Sequence, residues 1–413
     1  MSVQSPRRPD LTKTAVDELS VHHHEHAMYD LVIEELQGRR IRIGDHWLTD
    51  FASCNYLGLD LDEQVIASIE PAVRRWGTHP SWSRFVGNPR PYMDIEDRLT
   101  ELLGAPDTLV LPTITHIHLS VLPVLAAQGQ LFMDARAHRT IYDGCHVAVG
   151  AGAKLIPYRH HDLEHLRAKL RAAPVSGPRV IVTDGVNSMT GNMPLLPELA
   201  ALAREYDALL YVDDAHGFGV IGERTPDETS DYGSRGNSIV RHYDETYDNV
   251  VLVGGFSKAY SSLLAFLALP TALKERLKVA TSPYIYSGPS PVASLATVLA
   301  GFDVNAERGD QLRLQVHQLT HTVLDHLTKL GIGTSNTSGL PIIQIPAADP
   351  DDLPALWQSL FDHGVYTTAA AYPVVPRKEV GLRFQLTAAN TSAEIDELCT
   401  VLTAHAHRFK AAA

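Results

Sequence analysis

The sequence predicts an α/β protein in which a large domain, built on a mostly parallel sheet, is followed by a smaller α+β domain. Between residues 107 and 255, short apolar segments rich in β-branched residues alternate with amphipathic helical segments. Such alternation is typical of a parallel sheet covered by helices on both faces. After about residue 300 the pattern changes to a long helix and short strands, and the 413 residues suffice for two domains.

The strands and helices of the large domain follow one another in order. The predicted strands are the apolar segments DTLVLP, LFMDA, RVIVTDG, ALLYVDDA and NVVLVGGF. The predicted helices are residues 63–76 and the segments ITHIHLSVLPVLAAQG, DLEHLRAKLRAA and PLLPELAALAREYD. In the last of these, apolar residues recur at positions i, i+3, i+4 and i+7, which is the period of a helix with one buried face.

The smaller domain is predicted from a helix over Gln311–Leu330, the strands PIIQIP and LRFQLT, and a final helix over Ser392–His405. We therefore expect an N-terminal arm with short strands over residues 1–60, a large domain over 61–300 and a small domain over 301–413. Residues 1–20 form a polar lead, and the four histidines of VHHHEH favour an exposed helix start over a metal site. The polar segment 225–248 indicates a long loop at the edge of the sheet.

Charge and composition exclude several classes of function. The chain has 35 Lys and Arg against 48 Asp and Glu, a net charge of −13, so we expect no binding to nucleic acid. The 3 cysteines form no CxxC pair, which favours reduced thiols over disulfides. The N-terminus lacks the apolar stretch of a signal peptide, and no apolar run could span a membrane. We expect a soluble, cytoplasmic protein with no membrane partner.

Motifs for nucleotides and metals are missing as well. No GxGxxG follows a strand, and no GxxxxGK[ST] loop is present; GAGAKL has two glycines but lacks the rest of either motif. No HExxH and no paired CxxC indicates a catalytic metal, so we expect none.

Three predicted strands end on ionisable side chains, namely Asp184, Asp213 and Lys258. Ligands of an open α/β sheet bind at the carboxyl ends of its strands. A pyridoxal phosphate (PLP) cofactor needs a lysine amine for its Schiff base and a carboxylate on its pyridinium nitrogen. Lys258 and Asp213 supply both groups, and His216 follows three residues after the aspartate. Each residue taken singly has an alternative interpretation. Lys258 could be an exposed charge at the end of a strand, Asp213 a strand cap and His216 a histidine of the core.

At this point the sequence resembles the α-oxoamine synthases, a family of fold-type I PLP-dependent transferases. The family includes 8-amino-7-oxononanoate synthase, 2-amino-3-ketobutyrate CoA ligase, 5-aminolevulinate synthase and serine palmitoyltransferase. The resemblance extends from DFASCNYLGLD to LRFQLTAANT and is strongest over TDGVNSMTGNMPLLPELAALAREYDALLYVDDAHGFGVIGE. It implies the fold-type I architecture and PLP as cofactor.

The resemblance also implies roles for individual residues. Lys258 would carry the cofactor, Asp213 would bind the pyridine nitrogen, and His138 would stack on the ring. Arg383 falls where the family has an arginine for the substrate carboxylate. The catalytic residues would be Lys258, His138, His216 and Asp213. The expected cofactor-binding residues are Lys258, Asp213, His216, His138, Ser188, Thr113, Ile114, Thr115, Asp184 and Ser257.

The sequence departs from the family on the substrate side. Cys54 stands where the family usually has an asparagine that helps to hold the amino acid, and Asn55 follows it. The family's phosphate-binding Ser-Gly-aromatic turn is replaced by PTITHIH, where hydroxyls and free N–H groups of a helix start would bind phosphate. The loop GTHPSWSRFVGN is bulky and carries Trp82 and Arg84. We expect Arg383, Cys54, Asn55 and Arg84 to contact substrate.

The reaction implied by the resemblance condenses a small amino acid with an acyl thioester, carried on CoA or a carrier protein, and releases CO2. The departures leave an alternative open: an aminotransferase, or an aldol-type or racemising enzyme of the same fold, which uses no thioester. The segment YIYSGPSP (Tyr284–Pro291) resembles the one that reaches the partner's cofactor phosphate, so we expect a homodimer with its site near the subunit interface. A cofactor-free scaffold is disfavoured, because such relatives lose the lysine.

Overall fold

A computed structural model describes residues 28–225 and 230–412. The predicted polar lead, the histidines of VHHHEH and residues 226–229 of the polar segment lie outside the described residues. The described strands are β1 (Glu35–Gln37), β2 (Arg40–Ile43), β3 (His46–Asp50), β4 (Asp107–Leu111), β5 (Gln130–Asp134), β6 (Lys154–Tyr158), β7 (Arg179–Asp184), β8 (Leu209–Asp213), β9 (Val250–Gly255), β10 (Ala265–Leu269), β11 (Ile342–Pro346), β12 (Val365–Tyr366), β13 (Thr368–Ala370) and β14 (Gly381–Gln385).

The helices fall between these strands. They are α1 (Glu63–Ala67), α2 (Ile69–Trp76), α3 (Arg90–Leu103), α4 (Ile114–Ala126), α5 (Arg139–Gly150), α6 (Leu163–Ala172), α7 (Leu196–Glu205), α8 (Ser238–His242), α9 (Thr271–Ala280), α10 (Ser282–Ile285), α11 (Val292–Leu330), α12 (Leu353–Asp362) and α13 (Ser392–Ala404).

The central sheet has seven strands in the order β4-β10-β9-β8-β7-β5-β6. The pairs β9–β8, β8–β7, β7–β5 and β5–β6 are parallel, whereas β10 runs antiparallel to both of its neighbours. Alternate residues of a strand face opposite sides, so Leu210 and Val212 of β8 enter one hydrophobic cluster and Tyr211 enters the other. Helices α6 and α7 contribute to the first cluster, and α4 and α5 to the second. This two-sided arrangement confirms the predicted α/β fold with a mostly parallel sheet.

Two smaller sheets flank the central one. Strands β11, β14 and β13 form an antiparallel sheet. Strands β1, β2 and β3 form a second sheet, which β12 extends by pairing in parallel with β3. The chain after β3 is held between these sheets, because the Phe51 N–H donates to Tyr366 O at 2.8 Å and the Phe51 carbonyl accepts from the Gln385 N–H at 2.8 Å. The N-terminal strands thereby fix the loop that carries Cys54.

Helix α11 begins much earlier than the expected start at Gln311. It runs unbroken over 39 residues from Val292 and ends at Gly331, whose φ of 67° is the left-handed conformation favoured by glycine. Gly301 and Gly309 lie within this helix and allow close packing. A Cβ at Gly301 would lie 2.7 Å from the Tyr260 ring. The predicted domain boundary at residues 300 and 301 falls inside this helix.

Several elements were not predicted, among them β6, β10, α3, α5, α9 and α12. Strand β6 contains a proline and exposed residues, so it lacks the apolar run that marks the other strands. In the described ranges, no helix has the length and apolar character needed to cross a membrane.

Candidate active site

The carboxyl ends of the central strands surround a cavity of about 300 Å³. Asp184 and Asp213 lie side by side there, because β7 and β8 pair in that register. All ten residues expected to bind the cofactor line the cavity, and Thr140, Val186, Ala215 and Leu263 complete its wall. The topology thus gathers residues that lie up to 145 positions apart in the sequence, from Thr113 to Lys258.

Lys258 lies in the turn that joins β9 to β10. The turn is closed by hydrogen bonds from the Phe256 N–H to Leu264 O and from the Ser262 N–H to Phe256 O, both at 2.9 Å. Burial lowers the pKa of the Lys258 amine, and the Asp213 carboxylate opposes that change. An amine with a lowered pKa has a larger neutral fraction at neutral pH, and the neutral form is the nucleophile.

Asp213 is held by two hydrogen bonds. Its Oδ2 lies 2.9 Å from His118 Nε2, and its Oδ1 accepts from the Ala215 N–H at 3.0 Å. Burial raises the pKa of this carboxyl, but the His118 hydrogen bond and charge, together with the Lys258 charge, bring it below its ordinary value. The carboxylate therefore stays ionised and keeps lone pairs free for a further donor.

The orientation of His118 follows from its partners. An ionised carboxylate only accepts, so His118 Nε2 carries the N–H that donates to Asp213, and Nδ1 lies 2.8 Å from the Tyr211 hydroxyl. The imidazole is fully buried. Tyr211, His118 and Asp213 thus form a chain of hydrogen bonds that ends in the cavity.

Asp184 supports His138 on the opposite side. Its Oδ1 accepts from the His138 N–H at 3.1 Å, and its Oδ2 from the Asn187 amide at 3.2 Å. Burial and the nearby Asp213 raise the pKa of Asp184 well above its ordinary value. His138 caps α5, with Nδ1 accepting from the Thr140 N–H at 3.3 Å. Burial lowers the pKa of His138, so the imidazole that faces the cavity is neutral.

His216 is linked to the loop after β3. Its Nδ1 lies 2.7 Å from the Tyr56 hydroxyl. Burial and the charges of Lys258 and Arg383 lower the pKa of His216 well below its ordinary value. It is therefore a neutral imidazole whose ring is fixed by a tyrosine.

The N-terminus of α4 opens into the cavity. Thr113 caps the helix, and its hydroxyl accepts from the His116 N–H at 3.2 Å. The N–H groups of Ile114 and Thr115 lie in the first turn, where no helical acceptor exists, and both residues line the cavity. Free N–H groups at a helix start attract phosphate.

Arg383 lies on β14 and carries a charge without a partner. The side chain is 9% exposed, its Nε has no hydrogen-bond partner, and it forms no ion pair with any residue of the described ranges. It is close enough to the cavity to influence the pKa of both Lys258 and His216. A buried, unpaired guanidinium is costly unless an anion joins it.

Cys54 and Asn55 differ in their surroundings. The Gln385 amide donates to Cys54 Sγ at 3.5 Å, and the Cys54 charge contributes to the pKa of Lys258. The Asn55 amide instead donates to Asp60 Oδ2 at 3.0 Å, and Asn55 does not line the cavity. Neither residue lines the cavity, but Cys54 is close enough to Lys258 to influence its pKa.

The expected contact of Arg84 with substrate does not hold in this structure. Its guanidinium is buried and donates to Glu96 Oε1 and to the carbonyl of Val110, both at 2.7 Å. It also lies over the rings of Tyr92 and Tyr284 at 4.4 and 5.1 Å. Because Glu96 and Val110 hold the guanidinium, Arg84 stabilises the fold beside β4.

The arrangement fits PLP on structural grounds. One cavity combines the amine of Lys258 with a lowered pKa, the ionised Asp213 with free lone pairs and the open helix start at Ile114. These groups match the aldehyde, the pyridinium nitrogen and the phosphate of the cofactor. Fold and site together define a fold-type I PLP-dependent transferase.

Comparison with known proteins narrows this class. Residues 48–402 match the aminotransferase class I and II family. The chain is 30% identical over 367 residues to a serine palmitoyltransferase of Sphingobacterium spiritivorum, covering 88% of each chain. It is 32% identical over 374 residues to an 8-amino-7-oxononanoate synthase of Ectopseudomonas mendocina, covering 90% of this chain and 92% of the other.

Solved structures agree with these matches. A serine palmitoyltransferase of Sphingomonas wittichii superposes with a TM-score of 0.83 at 25% identity, covering 95% of this chain and 96% of the other. A serine palmitoyltransferase from S. paucimobilis with a bound PLP–myriocin aldimine gives a TM-score of 0.85 at 23% identity over the same shares. The chain belongs to the α-oxoamine synthases, PLP-dependent enzymes of the aminotransferase class I and II family that condense an amino acid with an acyl thioester and release CO2.

Sequence reasoning missed His118, Tyr211 and Tyr56. His118 had a visible signal, because a histidine in ITHIHLSVLPVL stands beside Ile117 and Val121 on the buried face of the predicted helix. Tyr56 was quoted within NYLGL but given no role. Tyr211 stands between apolar residues of β8, and nothing in the sequence marks it as a partner of His118.

We predict that His118→Phe moves the acid limb of the pH–activity profile to higher pH. Loss of the His118 hydrogen bond raises the pKa of Asp213, because a hydrogen bond to a charged group favours the ionised form by about 1.5–3 kcal/mol. The measurement is the rate of α-hydrogen exchange of the amino acid in D2O against pH, together with the pH dependence of the visible absorbance of bound PLP.

His118→Asn keeps an N–H donor and serves as the matched control, with a smaller displacement of the acid limb. An unchanged acid limb and unchanged absorbance in His118→Phe would show that the histidine only fills space.

We predict that Arg84→Ala lowers the free energy of unfolding by about 3 kcal/mol or more, because it leaves Glu96 in a buried position with one cationic partner fewer. Denaturant unfolding of the holoenzyme measures the change. Arg90→Ala, which removes an exposed pair with Asp94, is the control and should cost less than about 1 kcal/mol. If Arg84→Ala instead raised KM for the amino acid and left the free energy of unfolding unchanged, Arg84 would be a substrate-binding residue.

Proposed function

We propose that this enzyme condenses a small α-amino acid with an acyl thioester carried on CoA or on an acyl carrier protein. The observation that supports the choice of a carboxylate substrate is the buried guanidinium of Arg383, which has no anionic partner within residues 28–225 and 230–412. It lies near Lys258, where the amino group of the substrate reacts. Carboxylate and amine of one α-amino acid would occupy these two positions.

The size of the site favours a small side chain. Pockets for small ligands range from about 300 to about 1,000 Å³, and this cavity, at about 300 Å³, must hold the cofactor as well. The acyl group therefore extends outwards, past Leu263, which lines the cavity and is 56% exposed. An acyl chain that leaves the cavity past Leu263 can be attached to a large carrier.

The side chains of this protein divide the work between them. When bound, PLP supplies an electron sink that stabilises negative charge at the α-carbon of the amino acid. Asp213 holds the proton on the ring nitrogen, and His118 keeps Asp213 ionised and oriented. Lys258, with its lowered pKa, accepts the α-proton at Nζ.

The two neutral histidines position the reacting groups. His138, fixed by Asp184 and Thr140, covers one side of the cavity. His216, fixed by Tyr56, offers its remaining ring nitrogen as a hydrogen-bond partner near Lys258. Because both imidazoles are neutral, they do not repel the protonated amine of Lys258.

A homodimer would complete the site. The segment near Tyr284 resembles the one that reaches the partner's cofactor, and the Phe85 N–H donates to the carbonyl of Tyr284 at 3.3 Å. Large apolar side chains on these two segments are exposed: Trp82 55%, Phe85 58%, Val86 78% and Tyr286 81%. Such a patch is typical of a surface that a partner covers. A second copy of the chain would bring this apolar patch against the mouth of the cavity.

We predict that the holoenzyme exchanges the α-hydrogen of one small amino acid and, with an acyl thioester, releases one thiol and one CO2 per α-amino ketone formed. The experiment incubates each small amino acid in D2O with and without a panel of acyl thioesters and follows products by mass spectrometry. Pyridoxamine phosphate formed without any thioester would indicate an aminotransferase and contradict the condensation.

Two variants control this assay. Lys258→Ala should abolish product formation. Arg383→Gln should raise KM for the amino acid, with a loss on the order of 2–4 kcal/mol in kcat/KM if the ion pair is desolvated. An equal loss for the corresponding amine, which lacks a carboxylate, would count against the role of Arg383.

We predict that the double variant Phe85→Glu, Val86→Glu is monomeric and inactive in the absence of its partner, because charge placed at the centre of an apolar interface prevents association. Sedimentation velocity at micromolar concentration measures the state. Val175→Glu, at an exposed valine on another loop, is the control and should remain dimeric. A monomeric native protein that turns over substrate would contradict the shared site.

A further inference from the structure

A second cavity, of about 230 Å³, lies at the carboxyl ends of β5, β6 and β7 and shares no lining residue with the PLP cavity. Its polar lining consists of Asp134, Tyr158, His161 and Thr183. Apolar side chains form the remaining wall, namely Leu163, Met193, Pro194, Leu195 and Leu199. The function described above uses none of these groups.

Three side chains with metal-binding atoms meet beside this cavity. Asp134 ends β5, and His160 and His161 follow the neighbouring strand β6, so the sheet itself brings them together. One ligand atom from each residue lies within 4.8 Å of the others. The two imidazoles stack with centroids 3.7 Å apart at 27°, and His160 Nδ1 lies 2.9 Å from Asp134 Oδ1.

The cluster has unused ligand capacity. Asp134 Oδ1 accepts from the Arg136 N–H at 2.8 Å and meets His160, but Oδ2 accepts only from the His161 N–H at 3.2 Å. No described residue hydrogen-bonds to the ring nitrogens of His161. Imidazole nitrogens without another partner are common ligands of transition-metal ions.

An independent observation indicates a ligand in the cavity itself. The Tyr158 residue lines the cavity and is 2% exposed, and its hydroxyl oxygen has no hydrogen-bond partner within 3.5 Å, although Thr183 lies near it. Leaving a buried hydroxyl unpaired costs about 1–3 kcal/mol. A water or small polar molecule on a metal ion beside Asp134 would satisfy it.

We propose that Asp134, His160 and His161 bind a divalent first-row transition metal ion whose remaining coordination positions face the second cavity. Two imidazoles and one carboxylate are a common ligand set for Zn²⁺ and its neighbours, and three protein ligands leave positions open. The nearest cationic side chain on the same loop, Arg136, is already paired with Glu379 at 2.7 Å. The occupant of the open positions is a water molecule within reach of Tyr158.

Zn²⁺ binding to the dialysed holoenzyme tests this site. The histidines of VHHHEH are a second source of ligands, so the measurements use a background variant with His22, His23, His24 and His26 replaced by glutamine. We expect isothermal titration to give one Zn²⁺ per chain on this background. His161→Asn should lower the affinity at least about tenfold, and asparagine tolerates the φ of 53° at this position.

His146→Asn, at an exposed histidine of α5, is the matched control and should leave Zn²⁺ affinity unchanged. Zn²⁺ should raise the Tm of the background variant but not that of Asp134→Asn, which provides a second test should His161→Asn fold poorly. Absence of stoichiometric binding on the background, or equal affinity in His161→Asn, would overturn the site. Neither readout depends on turnover, so failure here is distinct from failure of the condensation assay.

Discussion

The hydrogen bond between His118 and Asp213 is the contact on which the chemistry of the cavity depends. A carboxylate at the centre of an α/β fold is unstable as an ion, because burial favours its neutral form. The imidazole behind it reverses that preference and is itself oriented by Tyr211. The neighbouring Asp184 lacks such a partner, and burial together with the charge of Asp213 raises its pKa well above its ordinary value. The pKa values of two carboxyls side by side on adjacent strands are thus shifted in opposite directions.

The rest of the fold positions these two carboxyls close to Lys258 and Arg383. Parallel pairing places Asp184 and Asp213 at one sheet edge, and the turn after β9 brings Lys258 to the same edge. The N-terminal strands carry Tyr56 across to His216, although 160 residues separate the two in the chain. The site is therefore assembled from pieces that are distant in sequence and adjacent only through sheet topology.

Features that depend on the local sequence could be predicted, whereas features that depend on contacts between residues distant in the sequence could not. The central strands were evident because buried parallel strands appear as apolar runs, and their polar ends mark the site. The start of α11 was misplaced because Gly301 and Gly309 weaken helices in isolation, whereas here they admit Tyr260 and Arg313. Arg84 was assigned to substrate because an arginine in a loop does not reveal Glu96, which lies on a helix that was not predicted. The partners of His160 were hidden in the same way, since Asp134 lies on another strand.

The length of α11 has a mechanical consequence. At about 1.5 Å per residue, its 39 residues form a rod about 58 Å long. One end packs beside the turn that carries Lys258, through Gly301 against Tyr260, and the other leads to the sheet that carries Arg383. One continuous helix therefore connects the turn that carries Lys258 to the sheet that carries Arg383. Because a single rigid element joins them, it constrains the distance between the amine and the guanidinium, and with it the length of molecule that can bridge the two groups.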